Sequence, residues 1–156
     1  MNEATATKIY PAAEERINVA SHALGLGLSV IGLAFLIGRA GSYDSTLFMT
    51  SFVIFGCSLV TLYAASTCYH AATDPRLRGR LRIVDHSSIY ILIAGTYTPF
   101  ALITLNGTTG WVIFGTVWGM ALTGIVLKLY YTGRYRMLST LMYLFMGWLI
   151  IFALRP

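Results

Sequence analysis

The chain has 156 residues, 56% of them hydrophobic and only 11% Asp, Glu, Lys or Arg, where a soluble globular domain carries about 25% charged residues. Its mean hydropathy of +0.69 means more apolar surface than so short a chain can hide, because a ~150-residue domain leaves roughly a third of its surface wet. That excludes a cytosolic enzyme, a disordered chain and a nucleic-acid module, and the net charge of +5 reports topology and contact with anionic lipid instead. The chain reads as an all-α integral membrane protein.

A helix needs about 20 apolar residues to cross ~30 Å of hydrocarbon. Residues 1–18 form a tail with no signal-peptide pattern, since Glu3, Glu14 and Glu15 stand where basic residues should. Residues 19–156 then form one transmembrane domain with spans at 19–38, 46–69, 84–105, 111–127 and 137–154. The connectors are 39–45, 70–83, 106–110 and 128–136. The third is tight and turn-rich, which makes the third and fourth helices antiparallel neighbours.

Basic residues favour cytoplasmic loops. Lys8, Arg16, Arg76, Arg78, Arg80, Arg82, Lys128, Arg134 and Arg136 fall on one side, against Arg39 and Arg155 on the other. The N-terminus is therefore expected in the cytoplasm and Pro156, after five crossings, outside. The four arginines of the second connector read as a solvated loop touching anionic headgroups.

Within the spans, Gly115 and Gly119 form a GxxxG pattern, and Ser21, Gly25 and Ser29 recur every fourth residue. Both patterns predict close helix packing. Cys57 and Cys68 lie roughly 16 Å apart along one helix, too far to pair, and read as packing residues. Pro99, whose ring meets the carbonyl of Gly95, predicts a kink in the third span.

Ionisable residues inside a span default to a functional hypothesis. Glu15, Asn18 and His22 share one face at the start of the first helix, and Ser66 and His70 share one at the end of the second. Asp85 and His86 open the third. Topology brings all of them to the cytoplasmic leaflet, where two histidines and a carboxylate suit Zn²⁺. Bland readings stand beside this one. Asp85 can cap the third helix or pair with Arg82, His70 can satisfy helix-end carbonyls, and His22 can be a packed histidine. His86 is the poorest ligand candidate, lying about 100° around the helix from Asp85.

The segments Glu15-Arg-Ile-Asn-Val-Ala-Ser-His22, Ser66-Thr-Cys-Tyr-His70, Asp85-His-Ser-Ser-Ile and Ala94-Gly-Thr-Tyr-Thr-Pro-Phe100, with Gly147-Trp148 later, resemble the hemolysin III family. That family comprises bacterial relatives of the progestin and adipoQ receptors, and the resemblance runs from about Glu14 to the last residue. It implies a seven-helix fold in the bacterial inner membrane, of which these would be the first five helices, with a zinc site at the cytoplasmic leaflet.

The resemblance also implies that His70 is a zinc ligand, that Asp85 holds a metal-bound water and that Ser66 hydrogen-bonds beside it. The family's other two zinc histidines belong to a His-x-x-Trp-His motif on the last helix, which this sequence lacks. Zinc binding by this chain alone is therefore expected to be weak or absent. Two function classes follow from the resemblance: zinc-dependent hydrolysis of a membrane lipid amide, and a pore-forming, membrane-homeostasis or sensing role without catalysis. The expected partners are membrane lipids.

Overall fold

A computed structural model describes residues 11–130 and 136–153. Lys8, Arg134, Arg155 and Pro156 lie outside the described residues. Helix α1 spans Ala12–Ala40, α2 Thr46–Ala71 and α3 Pro75–Pro99, which continues as π-helical Phe100–Leu105. Helix α4 spans Gly107–Tyr130, α5 Arg136–Trp148 and the short α6 Ile150–Ala153. Four of these units are long and apolar enough to cross a membrane: α1, α2, α3 with its π-helical extension, and α4.

The fifth expected span is shorter than predicted and broken. Its apolar helix covers Met137–Trp148, and a buried phenol sits at the break. Tyr97 Oη accepts from Ile150 N at 2.9 Å and lies 2.8 Å from the carbonyl oxygen of Met146 and 3.0 Å from that of Gly147. The hydroxyl satisfies backbone groups that an unbroken ladder would have paired internally.

Two helices begin earlier than hydropathy predicts. Helix α1 starts at Ala12, so Glu15 lies in its first turn and not in a tail. Helix α3 starts at Pro75, where Asp74 Oδ1 accepts from Leu77 N at 2.8 Å and Pro75 occupies the first turn. Pro suits that position because it has no N–H to leave unpaired. The expected loop over 70–83 thus shrinks to the few residues after Ala71, and its four arginines are helical.

The third connector contracts to Asn106 alone, with φ 50°, followed by Gly107 with φ 58°. Left-handed backbone of this kind favours Asn and Gly, and it reverses the chain in minimal length. At Pro99 the chain stays helical, with φ −65° and ψ −36°. Proline cannot donate to Gly95, and the segment beyond it takes the wider π-helical ladder, ending with Asn106 N donating to Ala101 O at 3.1 Å.

Successive helices pack on one another, and α3 also touches α5, so α3 lies between α2 and the α4–α5 pair. The core sits around α3, α4 and α5, where Tyr90, Ala94, Tyr97, Val117, Ala121 and Met146 cluster. Helix α1 packs along α2 and turns Leu24, Leu28, Ile31 and Phe35 outward, as a lipid-facing helix does.

The small-residue patterns divide. Gly25 abuts the Tyr63 ring, as its spacing predicts, whereas an added Cβ at Gly115 or Gly119 would meet nothing within 4 Å among the described residues. The GxxxG pair therefore mediates no close approach there. The tight α2–α3 contact is at Gly95, where a Cβ would fall on the Ser58 side chain. Gly95→Ala is expected to force α2 and α3 apart and cost about 1–3 kcal/mol, while Gly119→Ala should not destabilise; thermal unfolding in detergent compares them. Cys57 and Cys68 are free and exposed, which corrects their reading as packing residues; an uncharged thiol is apolar enough to face lipid.

Candidate functional site

The polar residues meet where α1 begins, α2 ends and α3 begins. Ser66, on the last turns of α2, donates from Oγ to Asp85 Oδ1 on α3. One turn further along α2, His70 Nδ1 lies 2.8 Å from Glu15 Oε2 on α1. The other oxygen of Glu15 pairs with Arg78 on α3. Three helices are tied together at one end by two carboxylates.

Arg78 belongs to this network and not to a solvated loop. It is only 8% exposed. Its second guanidinium nitrogen donates to Ala72 O at 3.2 Å, and its plane lies over the Tyr69 ring, 4.8 Å from the centroid. Its Nε is buried with no hydrogen-bond partner among the described residues. The register explains the burial. With α3 starting at Pro75, Arg78 and Asp85 are seven residues apart and share a face directed at α2.

The alternatives for Asp85 and His70 separate here. Capping of α3 falls to Asp74, and Asp85 sits well inside the helix with its carboxylate on Ser66. The Nδ1 of His70 is directed to Glu15 instead of to the carbonyls ending α2. His22 stacks on His70, with centroids 5.3 Å apart and planes 11° from parallel. So the face shared by Glu15 and His22 on α1 meets His70 at both residues.

His86 lies nearer Asp85 than its helical position suggested. Its Nδ1 is 2.8 Å from Arg82 O and 3.3 Å from Asp85 Oδ2. Adjacent side chains on a helix diverge by 100°, but a long imidazole can fold back across its neighbour. Tyr143 of α5 donates to His86 O at 2.8 Å and packs against Tyr90 at 4.3 Å. Arg78, Tyr69 and Tyr143 were not expected at this site. For Arg78 a signal was available in Asp74-Pro75, a helix start that places it one turn in.

Imidazole and carboxylate are the donor types zinc takes, and a site needs three or four of them. Among the described residues no three of His, Cys, Asp and Glu are placed to hold a metal ion together. The set fits zinc in kind and falls short in number.

A family model described as haemolysin-III related matches residues 10–156. The chain is 48% identical over 143 residues to the hemolysin-3 homolog of Bacillus subtilis (strain 168), covering 92% of this chain and 67% of that protein. It is 42% identical over 143 residues to hemolysin-3 of Bacillus cereus, covering 92% of this chain and 65% of that one. The chain thus spans about two thirds of the length of these relatives. No solved structure matches. With its apolar helices and a family match from Tyr10 to its last residue, the chain belongs to the hemolysin III family of multi-pass membrane proteins.

Proposed function

We propose that the protein acts in the bacterial cytoplasmic membrane as part of a seven-helix fold. Its arginine-bearing end faces the cytoplasm and contributes His70, Asp85 and Ser66 to a zinc site that hydrolyses a membrane lipid amide. The reading rests on one observation above the others. A carboxylate inside a span is held by a serine on the neighbouring helix, with an oriented histidine one turn away. Such groups are costly in a membrane and are retained where they act.

Zinc, when bound, supplies a Lewis acid for a carbonyl and a water of lowered pKa. The tasks of this chain's own residues are narrower. His70 offers a ligand nitrogen, and Asp85 takes and returns a proton at its carboxylate. Ser66 holds one oxygen of that carboxylate, and His86 Nδ1 lies 3.3 Å from the other. The remaining ligands come from segments beyond the described residues.

The relatives' names, hemolysin-3 and hemolysin-3 homolog, invite a pore. Less supports that reading. Of the buried hydroxyls along the spans, Ser29, Ser58, Ser88 and Thr98 donate to carbonyls of their own helices, and only Ser51 and Ser87 lack a hydrogen-bond partner among the described residues, whereas a pore needs a wet path through the whole span.

Metal analysis of purified protein tests the proposal. The chain extended to the length of its relatives should copurify with about one zinc, and His70→Ala should lose it. Ser66→Ala, which removes a hydrogen-bond partner and no ligand, should weaken zinc binding about 10–100-fold. Zinc retained in full by His70→Ala would contradict the assignment.

A further inference from the structure

Glu15 of α1 is shared between two partners on other helices, His70 of α2 and Arg78 of α3. Its Oε2 meets Nδ1 of His70 at 2.8 Å, and its Oε1 is taken by Arg78. A glutamate held on a guanidinium is an acceptor at both oxygens. The ring nitrogen facing it must therefore carry a hydrogen. Arg78 is itself fixed, by the Ala72 carbonyl below and the Tyr69 ring beside it, so the carboxylate has little freedom to turn. His22 closes one face of the imidazole by stacking on it.

We infer that Glu15 is the positioning residue of His70, with Arg78 as its clamp, and that together they hold the imidazole as the Nδ1–H tautomer. In that form the lone pair is on Nε2, and His70 acts through Nε2 alone. A tautomer and a ring orientation are at stake, not a change of charge. The inference deepens the reading of His70 as a ligand. A metal-bound histidine almost always gives its other ring N–H to a carboxylate or carbonyl, which fixes the tautomer and strengthens the ligand. Here that outer partner arrives from α1, and its own partner from α3, so folding of three helices sets the histidine before any metal is present.

The test reads the ring directly. The sequence has three histidines, so nitrogen NMR of protein labelled at histidine, in detergent and mildly alkaline buffer, resolves each imidazole. Variants His22→Gln and His86→Gln assign the signals. For His70 the hydrogen should sit on Nδ1, with none on Nε2. Glu15→Ala should shift the population toward the Nε2–H form. Glu15→Gln should restore the Nδ1–H form in part, because its amide oxygen accepts from one donor but cannot serve both. A destabilised but otherwise equivalent site would not follow that order.

An Nε2–H form or an even mixture in the wild-type protein overturns the inference, even if Glu15→Ala fails to fold. So does a His70 spectrum unchanged by Glu15→Ala. The two proposals fail separately. An Nδ1–H ring in a protein that takes no zinc at full family length sinks the metal site and leaves the positioning role standing. Zinc bound through His70 with its ring indifferent to Glu15 does the reverse.

Discussion

Arg78→Met is expected to destabilise the protein by about 3–5 kcal/mol, the cost of removing one partner from a buried ion pair and stranding the other. Arg78 is 8% exposed and Glu15 is largely covered, so the stranded carboxylate cannot recover much solvation. His70 remains beside Glu15 and offsets some of the loss, which places the expected value toward the lower end. Arg76 and Arg80 lie exposed on the same turns of α3, and Arg76→Met and Arg80→Met should change stability by no more than about 0.5 kcal/mol. Denaturant unfolding in a single detergent compares the three. Equal stability for all of them would mean that Arg78 is one more solvated arginine and that the three-helix network does not exist.

Tyr90→Ala is expected to cost about 2–3 kcal/mol. Tyr90 is fully buried, lying where a Cβ on Gly124 of α4 would strike its ring. It also packs against Tyr143 of α5 at 4.3 Å. Apolar transfer contributes little inside a bilayer, because lipid tails are as apolar as the side chain. What remains is the void, at about 24 cal/mol per Å³ over a volume on the order of 100 Å³. Lipid cannot fill it, since α3, α4 and α5 enclose it. Leu122, 59% exposed on α4, provides the contrast. Its truncation opens a surface that a lipid chain reoccupies, so Leu122→Ala should be close to neutral. Similar losses for both would mean that the α3–α5 contact is not a packed core.

The elements most legible in the sequence were those whose ends coincide with a change in polarity. Helix α2 was expected over 46–69 and spans Thr46–Ala71. Helices α1 and α3 were misjudged at their starts for one reason. Hydropathy locates the hydrocarbon, while helices extend into the headgroup region on capping and propensity. Asp74-Pro75 was the signal that could have extended α3 by nine residues, and with it Arg78 would have fallen on the Asp85 face.

Topology puts the end of α2 beside the start of α3, but the pairing of Ser66 with Asp85 follows from the family resemblance and not from the spacing. The bridge from Glu15 to both His70 and Arg78 was foreseeable from neither. It depends on α1 beginning before the span and on an arginine that charge counting assigned to solvent. Helical angle makes His86 the poorest ligand candidate, but it neglects the reach of an imidazole toward its neighbour. Among the described residues no helix meets Gly115 or Gly119, since spacing shows that a helix can be approached closely, not which element does so.

Accessibility of a cysteine at position 79 tests most directly whether the Glu15–His70–Arg78 and Ser66–Asp85 groups lie at the cytoplasmic leaflet. Gly79 has open space around its Cα and lies one residue from Arg78, while Ser42 lies in the exposed connector at the opposite end of α1. In a background with Cys57 and Cys68 replaced by serine, Gly79→Cys should resist a membrane-impermeant thiol reagent applied to intact cells and react once the membrane is opened. Ser42→Cys should react from outside at once. Labelling of Gly79→Cys in intact cells, with Ser42→Cys protected, would place the polar cluster on the outer face and contradict a cytoplasmic zinc site.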